Sequence, residues 1–136
     1  MYKSVLVPVE LGQPERTARM IAKARALLDK GGKITLLNVV ESVQEYILAE
    51  LPSDVFANRE TQAMEGLRAL ADASGGGIAV SVRTGKPASE ILAAAKEFHA
   101  DLIIIASHNP GMQDFFIGST AVRIVRHAHC SVLVDR

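Results

Sequence analysis

The residues best suited to chemistry in this sequence are Gly118-Ser119-Thr120. A helix that starts there presents N–H groups with no partner inside the helix, and they carry a partial positive charge. Glycine lets an anion approach the backbone closely, and the Ser119 and Thr120 hydroxyls add donors. Such a start can hold a phosphate without a lysine. The same residues also suit a plain helix cap, so their surroundings must decide. Upstream stands Ala106-Ser107-His108-Asn109, just after the most apolar run of the chain. His108 could border a phosphate or be an ordinary loop histidine. Phe115-Phe116-Ile117 suits a packed loop closing the site better than a recognition patch. No Walker A loop or Gly-x-Gly-x-x-Gly turn is present. His127, His129 and Cys130 match no zinc spacing, so no metal site is expected, and Cys130 reads as a small buried hydrophobe. Hydrolysis would need a water-positioning group and charge stabilisation. Only His108 and Glu10 are candidates, and no lysine or arginine lies in the loop, so no catalytic residue is assigned.

These residues need elements to hold them. Val5 to Val9 is a β-branched run suited to a strand buried on both faces, with Pro8 at its end because proline lacks a donor. A helix is predicted from Pro14 to Lys30, closed by Gly31-Gly32. Thr17, Ile21, Ala24 and Leu28 would face inward, and Arg16, Arg19, Lys23 and Lys30 the solvent. Ile34 to Val40 is a second strand. Glu41 to Asp54 is looser, and a helical pattern follows to Ser74, with Phe56, Ala63, Leu67 and Leu70 on one face. Gly75-Gly76-Gly77 breaks it. Ile78 to Val82 is a third strand, and Gly85 and Pro87 turn into a third helix that buries Ile91, Leu92, Ala95 and Phe98. Leu102 to Ala106 is the most apolar strand and is expected near the centre. Ser107 to Ile117 is a loop, Ser119 to Ala128 a fourth helix, and Ser131 to Val134 a last strand.

Strands alternating with helices imply an α/β domain with a parallel sheet and right-handed crossovers. No composition shift or linker interrupts it, so residues 1–136 form one domain. Ligands of such sheets bind beyond the carboxyl ends of the strands, where the strand order reverses. That directs attention to Pro8-Val9-Glu10, Val39-Val40, Thr84-Gly85 and Ala106 to Asn109.

Composition narrows the partners. Of 136 residues 49% are apolar and 22% charged, which argues for a folded globule. The 15 Lys and Arg balance the 15 Asp and Glu, so nothing advertises a nucleic acid or an anionic membrane as partner. No run approaches the length of a membrane span. The single cysteine and the short N-terminal apolar run lead to an expected cytoplasmic location.

The pattern as a whole resembles the universal stress protein family, and closest the short bacterial single-domain members. The resemblance rests on Val5-Leu6-Val7-Pro8-Val9-Glu10, on Gly85-Lys86-Pro87-Ala88-Ser89-Glu90-Ile91-Leu92, and most specifically on Asp101 to Val134. It implies a three-layer, Rossmann-like fold of the adenine nucleotide alpha hydrolase type. The five-stranded parallel sheet would have the order 3-2-1-4-5, with four helices. It also implies a regulatory role in stress responses and ATP, or ADP or AMP, bound with Mg²⁺ through a Gly-x-x-Gly-x9-Gly-Ser/Thr motif. This sequence has Ala106 and Asn109 at the first two glycines, and eight residues between Asn109 and Gly118 where the motif has nine. Carried over, Pro8, Val9 and Glu10 lie beside the nucleoside, and Val39 meets the adenine edge. Ile105 and Ala106 line the ribose side. Ser107, His108 and Asn109 border the phosphates, with Gly118, Ser119 and Thr120 closing on them. The family's last strand commonly pairs with its copy, so a homodimer through Ser131 to Val134 is expected. A nucleotide-free dimeric scaffold and a slow ATPase or autokinase remain as alternatives.

Overall fold

The computed structural model describes residues 1–41, 53–107 and 117–136, and of residues 53–57 the backbone only. The elements follow in the order β1 (Tyr2–Pro8), α1 (Pro14–Leu27), β2 (Leu28–Glu41), α2 (Ser53–Ala73), β3 (Ala79–Gly85), α3 (Pro87–Glu97), β4 (Leu102–Ala106), α4 (Ser119–His127) and β5 (Ser131–Asp135). All five strands are parallel and lie in the order β3-β2-β1-β4-β5. This is the α/β architecture and strand order that the resemblance implied.

The period-2 geometry of a strand sends alternate side chains to opposite faces, and both faces here are covered. Val5 and Val7 of β1, with Leu102 and Ile104 of β4, pack with Met20, Ile21 and Ala24 of α1 and Leu67 of α2. Leu6, Ile103 and Ile105 face the other way, onto Ile91 and Ala94 of α3 and Ala121 and Ile124 of α4. The sheet is therefore the middle of three layers, and β1 and β4 are buried on both sides.

β1 begins earlier than the sequence reading placed it, at Tyr2, and β3 runs on to Gly85; the largest difference is where the first helix gives way to the second strand. The first helix stops at Leu27, and residues 28–41 are extended. Leu28 has β backbone angles and pairs with Tyr2, and the register then shifts before Ser4 pairs with Lys33. Gly31-Gly32 thus serve an irregularity within a strand. Gly31 has φ +83°, and a Cβ on Gly32 would come within 2.6 Å of the Leu28 side chain. Leu28 packs against the apolar cluster beneath the sheet, inward as its helical period had placed it, but from a strand.

The topology also opens a crevice. Starting from β1, the chain builds outward through β2 and β3, then returns to place β4 on the other side of β1. The β1–β2 pairing runs on to Pro8 with Leu37, and the β4–β5 pairing to Ala106 with Asp135. Between β1 and β4 the registered pairs are only Val5 with Leu102 and Leu6 with Ile103. At the opposite end the two strands are tied: Asp101 accepts from the Lys3 and Ser4 amides at 2.8 and 3.0 Å and donates its own N–H to the Ser4 carbonyl. The strands are joined at their amino ends and part toward their carboxyl ends, where this class of sheet binds ligands.

Candidate functional site

A cleft of about 360 Å³ lies over those parted strand ends. That volume is within the range of small-ligand pockets. Pro8, Val9 and Glu10 border it from the exit of β1, and Val39 from β2. Ile105, Ala106 and Ser107 border it from β4. Gly118, Ser119 and Thr120 border it from the start of α4. Ten of the twelve residues singled out from the sequence thus meet at one place. His108 and Asn109 lie outside the described residues, as do Phe115 and Phe116.

Each segment is held by identifiable bonds. The Val9 N–H donates to the Leu37 carbonyl at 2.8 Å, and the Asn38 amide donates to the Val9 carbonyl at 2.9 Å. These two bonds fix the turn that carries Glu10, whose side chain is exposed at the rim. Ser107 is 2% exposed, so the chain leaves β4 through a buried residue. Its N–H donates to the Asp135 carbonyl at 2.8 Å, and its carbonyl accepts the Gly118 N–H at 2.6 Å. Gly118 is the N-cap of α4, with φ −64° and ψ 157° and no capping side chain. The first helical bond runs from Val122 N–H to the Gly118 carbonyl. The N–H groups of Ser119, Thr120 and Ala121 therefore precede the first bond of the helix ladder and form its electropositive end. The backbone angles at Gly118 suit any residue, so its glycine is not required by conformation.

The cleft has a second wall that the sequence reading missed. Gln13, Arg16, Thr17 and Met20 of α1 line it, with Asn38 and Glu41 of β2 and Pro87 and Ile91 of α3. Arg16 is half-buried against this wall, where solvation was expected. Thr17 is 1% exposed, a buried hydroxyl that the helix period had placed inside without giving it a site. Asn38, polar in an otherwise apolar strand, was the one available hint on β2.

Arg19 and Lys23 also depart from the expected solvated face. Both form ion pairs with Asp135, whose side chain is 1% exposed; the Arg19 Nη2 to Asp135 Oδ2 distance is 2.9 Å. Burial alone would raise the Asp135 pKa, but hydrogen bonds from Arg19 and Lys23 outweigh it and hold the carboxyl below the usual range. Burial, followed by the charge of Asp101, pushes the Cys130 thiol up, which suits the inert reading. Among the described residues no group of three or more His, Cys, Asp or Glu could hold a metal ion, and no helix is long and apolar enough to cross a membrane.

Chemically the cleft is lined by apolar Val9, Val39, Ile105 and Met20 and by the amino end of α4.

Comparison with known proteins agrees with this architecture. The sequence matches the Universal stress protein family over residues 1–136. Universal stress protein G of Shigella flexneri is 30% identical over 142 residues, covering 100% of both chains. Among solved structures, universal stress protein UspA from Lactobacillus plantarum superposes with TM-score 0.76 at 25% identity, over 99% of this chain and 98% of the other. Two more distant neighbours share the fold and were solved with ligands. A universal stress protein in complex with cAMP has TM-score 0.68 at 18% identity, over 99% of this chain and 97% of the other. That of Archaeoglobus fulgidus in complex with dAMP has TM-score 0.62 at 18% identity, over 99% and 98%. The motif residues, the strand order and the match along the whole length converge: the chain belongs to the universal stress protein family.

Proposed function

We propose that this protein binds an adenine nucleotide in the cleft at the carboxyl ends of β1, β2 and β4. It would act by changing its surface, and so its partners in a stress response, with nucleotide state. The observation that carries this reading is the start of α4, which has no capping side chain at Gly118 and borders, beside apolar strand ends, a cleft of ligand size. In this reading Val9, Val39 and Ile105 take the base and sugar, Pro8 and Glu10 border the nucleoside, and Ala106 lies under the ribose. Ser107, His108, Asn109, Gly118, Ser119 and Thr120 surround the phosphates. The cAMP and dAMP complexes of structural neighbours support an adenine ligand. ATP fits the same scheme with Mg²⁺, which would be held chiefly by the phosphates, with Glu10 and the Ser119 and Thr120 hydroxyls among the protein oxygens that line the cleft.

Isothermal titration with AMP, ADP and ATP plus Mg²⁺ tests this directly. Saturable binding is expected below millimolar concentration, and no heat from any of the three up to that level would end the reading. Denaturing the purified protein and running the supernatant on an anion exchanger gives a second readout, in which released adenine nucleotide is expected.

A homodimer through β5 is part of the proposal. β5 is an edge of the sheet, and Val132, Leu133 and Val134 are only half-buried. Unpaired apolar edges recruit partners. Light scattering on a gel-filtration peak is expected to give the mass of two chains at tens of micromolar, and Leu133→Lys to give one. Monomer mass for the unmodified protein at that concentration would overturn the dimer.

The nucleotide-free scaffold has one observation in its favour. The Gly118 N–H is already taken by the Ser107 carbonyl, which leaves the cradle one donor fewer.

A further inference from the structure

We infer that Asp135, together with Arg19 and Lys23, is a positioning cluster that holds both walls of the ligand cleft in register. It deepens the nucleotide reading and rests on it.

Asp135 is the last residue of β5 and is 3% exposed, the one buried acid among the described residues. Its two functional groups point to different tasks. The side chain accepts from Arg19 and Lys23, which stand one turn apart on α1. Arg16 and Met20 lie on the adjoining stripe of the same helix and line the cleft. Anchoring Arg19 and Lys23 therefore sets where Arg16 and Met20 stand. The backbone carbonyl of Asp135 accepts the Ser107 N–H at 2.8 Å, and the Ser107 carbonyl in turn accepts the Gly118 N–H at 2.6 Å. Through these two bonds Asp135 also sets the start of α4.

A buried carboxylate is a costly choice for this role. Apolar packing at a similar volume is often as stable or more so. What a carboxylate adds is direction: it draws two cations to one point and leaves α1 no freedom to slide on the sheet. Arg19 and Lys23 are half-exposed, with side-chain accessibilities of 50% and 43%, so they can return to water if the acid is removed. An apolar replacement is then free to keep the fold while releasing the wall.

The test uses the full chain and two substitutions. Asp135→Asn keeps the shape and removes the charge, and Asp135→Val replaces the acid by packing. The probe is whichever of AMP, ADP and ATP with Mg²⁺ the unmodified protein binds most tightly. A five- to fifty-fold loss of affinity is expected in both variants. In Asp135→Val this loss should come with a melting temperature equal to or above that of the unmodified protein. A residue with a purely structural role would move affinity only as it moved stability. Amide hydrogen exchange supplies an independent reading, with faster exchange expected at Ser107 and Gly118 in Asp135→Asn. Asp135→Val binding within two-fold of the unmodified protein would overturn the inference. If the unmodified protein binds none of the three nucleotides, the nucleotide reading fails by itself. Unchanged exchange at Ser107 and Gly118 would then refute the cluster's positioning role as well.

Discussion

Replacing Gly118 by aspartate should make the protein more stable and take away its ligand. The N-cap of α4 has no side chain to bond the first amides of the helix, and its backbone angles of φ −64° and ψ 157° are open to an L-residue. An aspartate there accepts from the second or third N–H of the helix and places a negative charge against its dipole. The gain over glycine is a few tenths of a kcal/mol for the cap and about 0.3–1 kcal/mol for the dipole. Reduced freedom of the unfolded chain adds about 0.4–1 kcal/mol. Together these come to about 1.5 kcal/mol, or roughly 5 °C in melting temperature for a chain of this size.

The same carboxylate occupies the place proposed for a phosphate. Two unit charges about 4 Å apart repel by about 4 kcal/mol at an effective dielectric constant of 20. At about 1.4 kcal/mol per factor of ten, the expected loss of affinity is several hundred-fold. The loss should shrink as salt screens the open cleft, so the titration belongs at low ionic strength. Gly118→Asn separates the two effects: it caps the helix without the charge and should keep affinity within about ten-fold. Calorimetry in both modes, scanning and titration, measures the pair. An aspartate variant that melts higher and binds the nucleotide as before would refute the reasoning, because the amides would be capped and the ligand indifferent. One that melts lower would show that the amides behind Gly118 are not available as argued.

Two further outcomes are expected from the packing and the charges. Ile104 is 0% exposed at the centre of β4, so Ile104→Ala should cost about 2–5 kcal/mol, read as a lower urea midpoint. Asp135 has its pKa depressed by its two cations, so its contribution is fully present above about pH 3.9 and is lost as pH falls through the folded value. Urea midpoints taken at successive pH values should fall in that acid window, and Asp135→Asn should flatten the fall. Some slope should persist, because burial raises the Asp101 pKa but bonds from the Lys3 and Ser4 amides more than offset it, giving a shift of the same sign. An identical acid profile in the variant would show that Asp135 gains nothing from its partners.

The fold was legible because the central strands β1 and β4 are buried on both faces. Runs such as Leu102-Ile103-Ile104-Ile105-Ala106 are short and β-branched, which favours buried strands, and Gly75-Gly76-Gly77 and Pro87 mark breaks between elements, while Gly31-Gly32 misled by lying within a strand. The site was half legible. The rule that ligands sit at strand ends picks out Pro8, Val39 and Ala106 from the chain alone, since it needs only the order of elements. It cannot pick out Gln13, Arg16 or Met20, because which stripe of α1 overlooks the cleft depends on how the helix is rolled on the sheet. That roll is set by Asp135, 116 residues from Arg19 along the chain, so no local pattern could disclose it. The end of α1 was misplaced for a related reason. Leu28 continues the apolar stripe of a helix, yet pairing with Tyr2 offers it a better place.

The charges around the cleft bear on what it can hold. Glu10 and Glu41 line it, and among the described lining residues Arg16 is the only lysine or arginine. Residues 107–117 contribute none either. Most phosphate sites offset the anion with several cations, and on the proposed reading this one would have Arg16 and the amides and hydroxyls at one helix start. Amides carry partial charges, so they favour one phosphate group strongly and a chain of three only when the outer charges are met elsewhere. A divalent ion can meet them, and it would also relieve the repulsion from Glu10 and Glu41. On the proposed nucleotide reading, the balance of charge in the walls predicts that binding of the longer nucleotides depends on a divalent ion and that binding of a single phosphate does not.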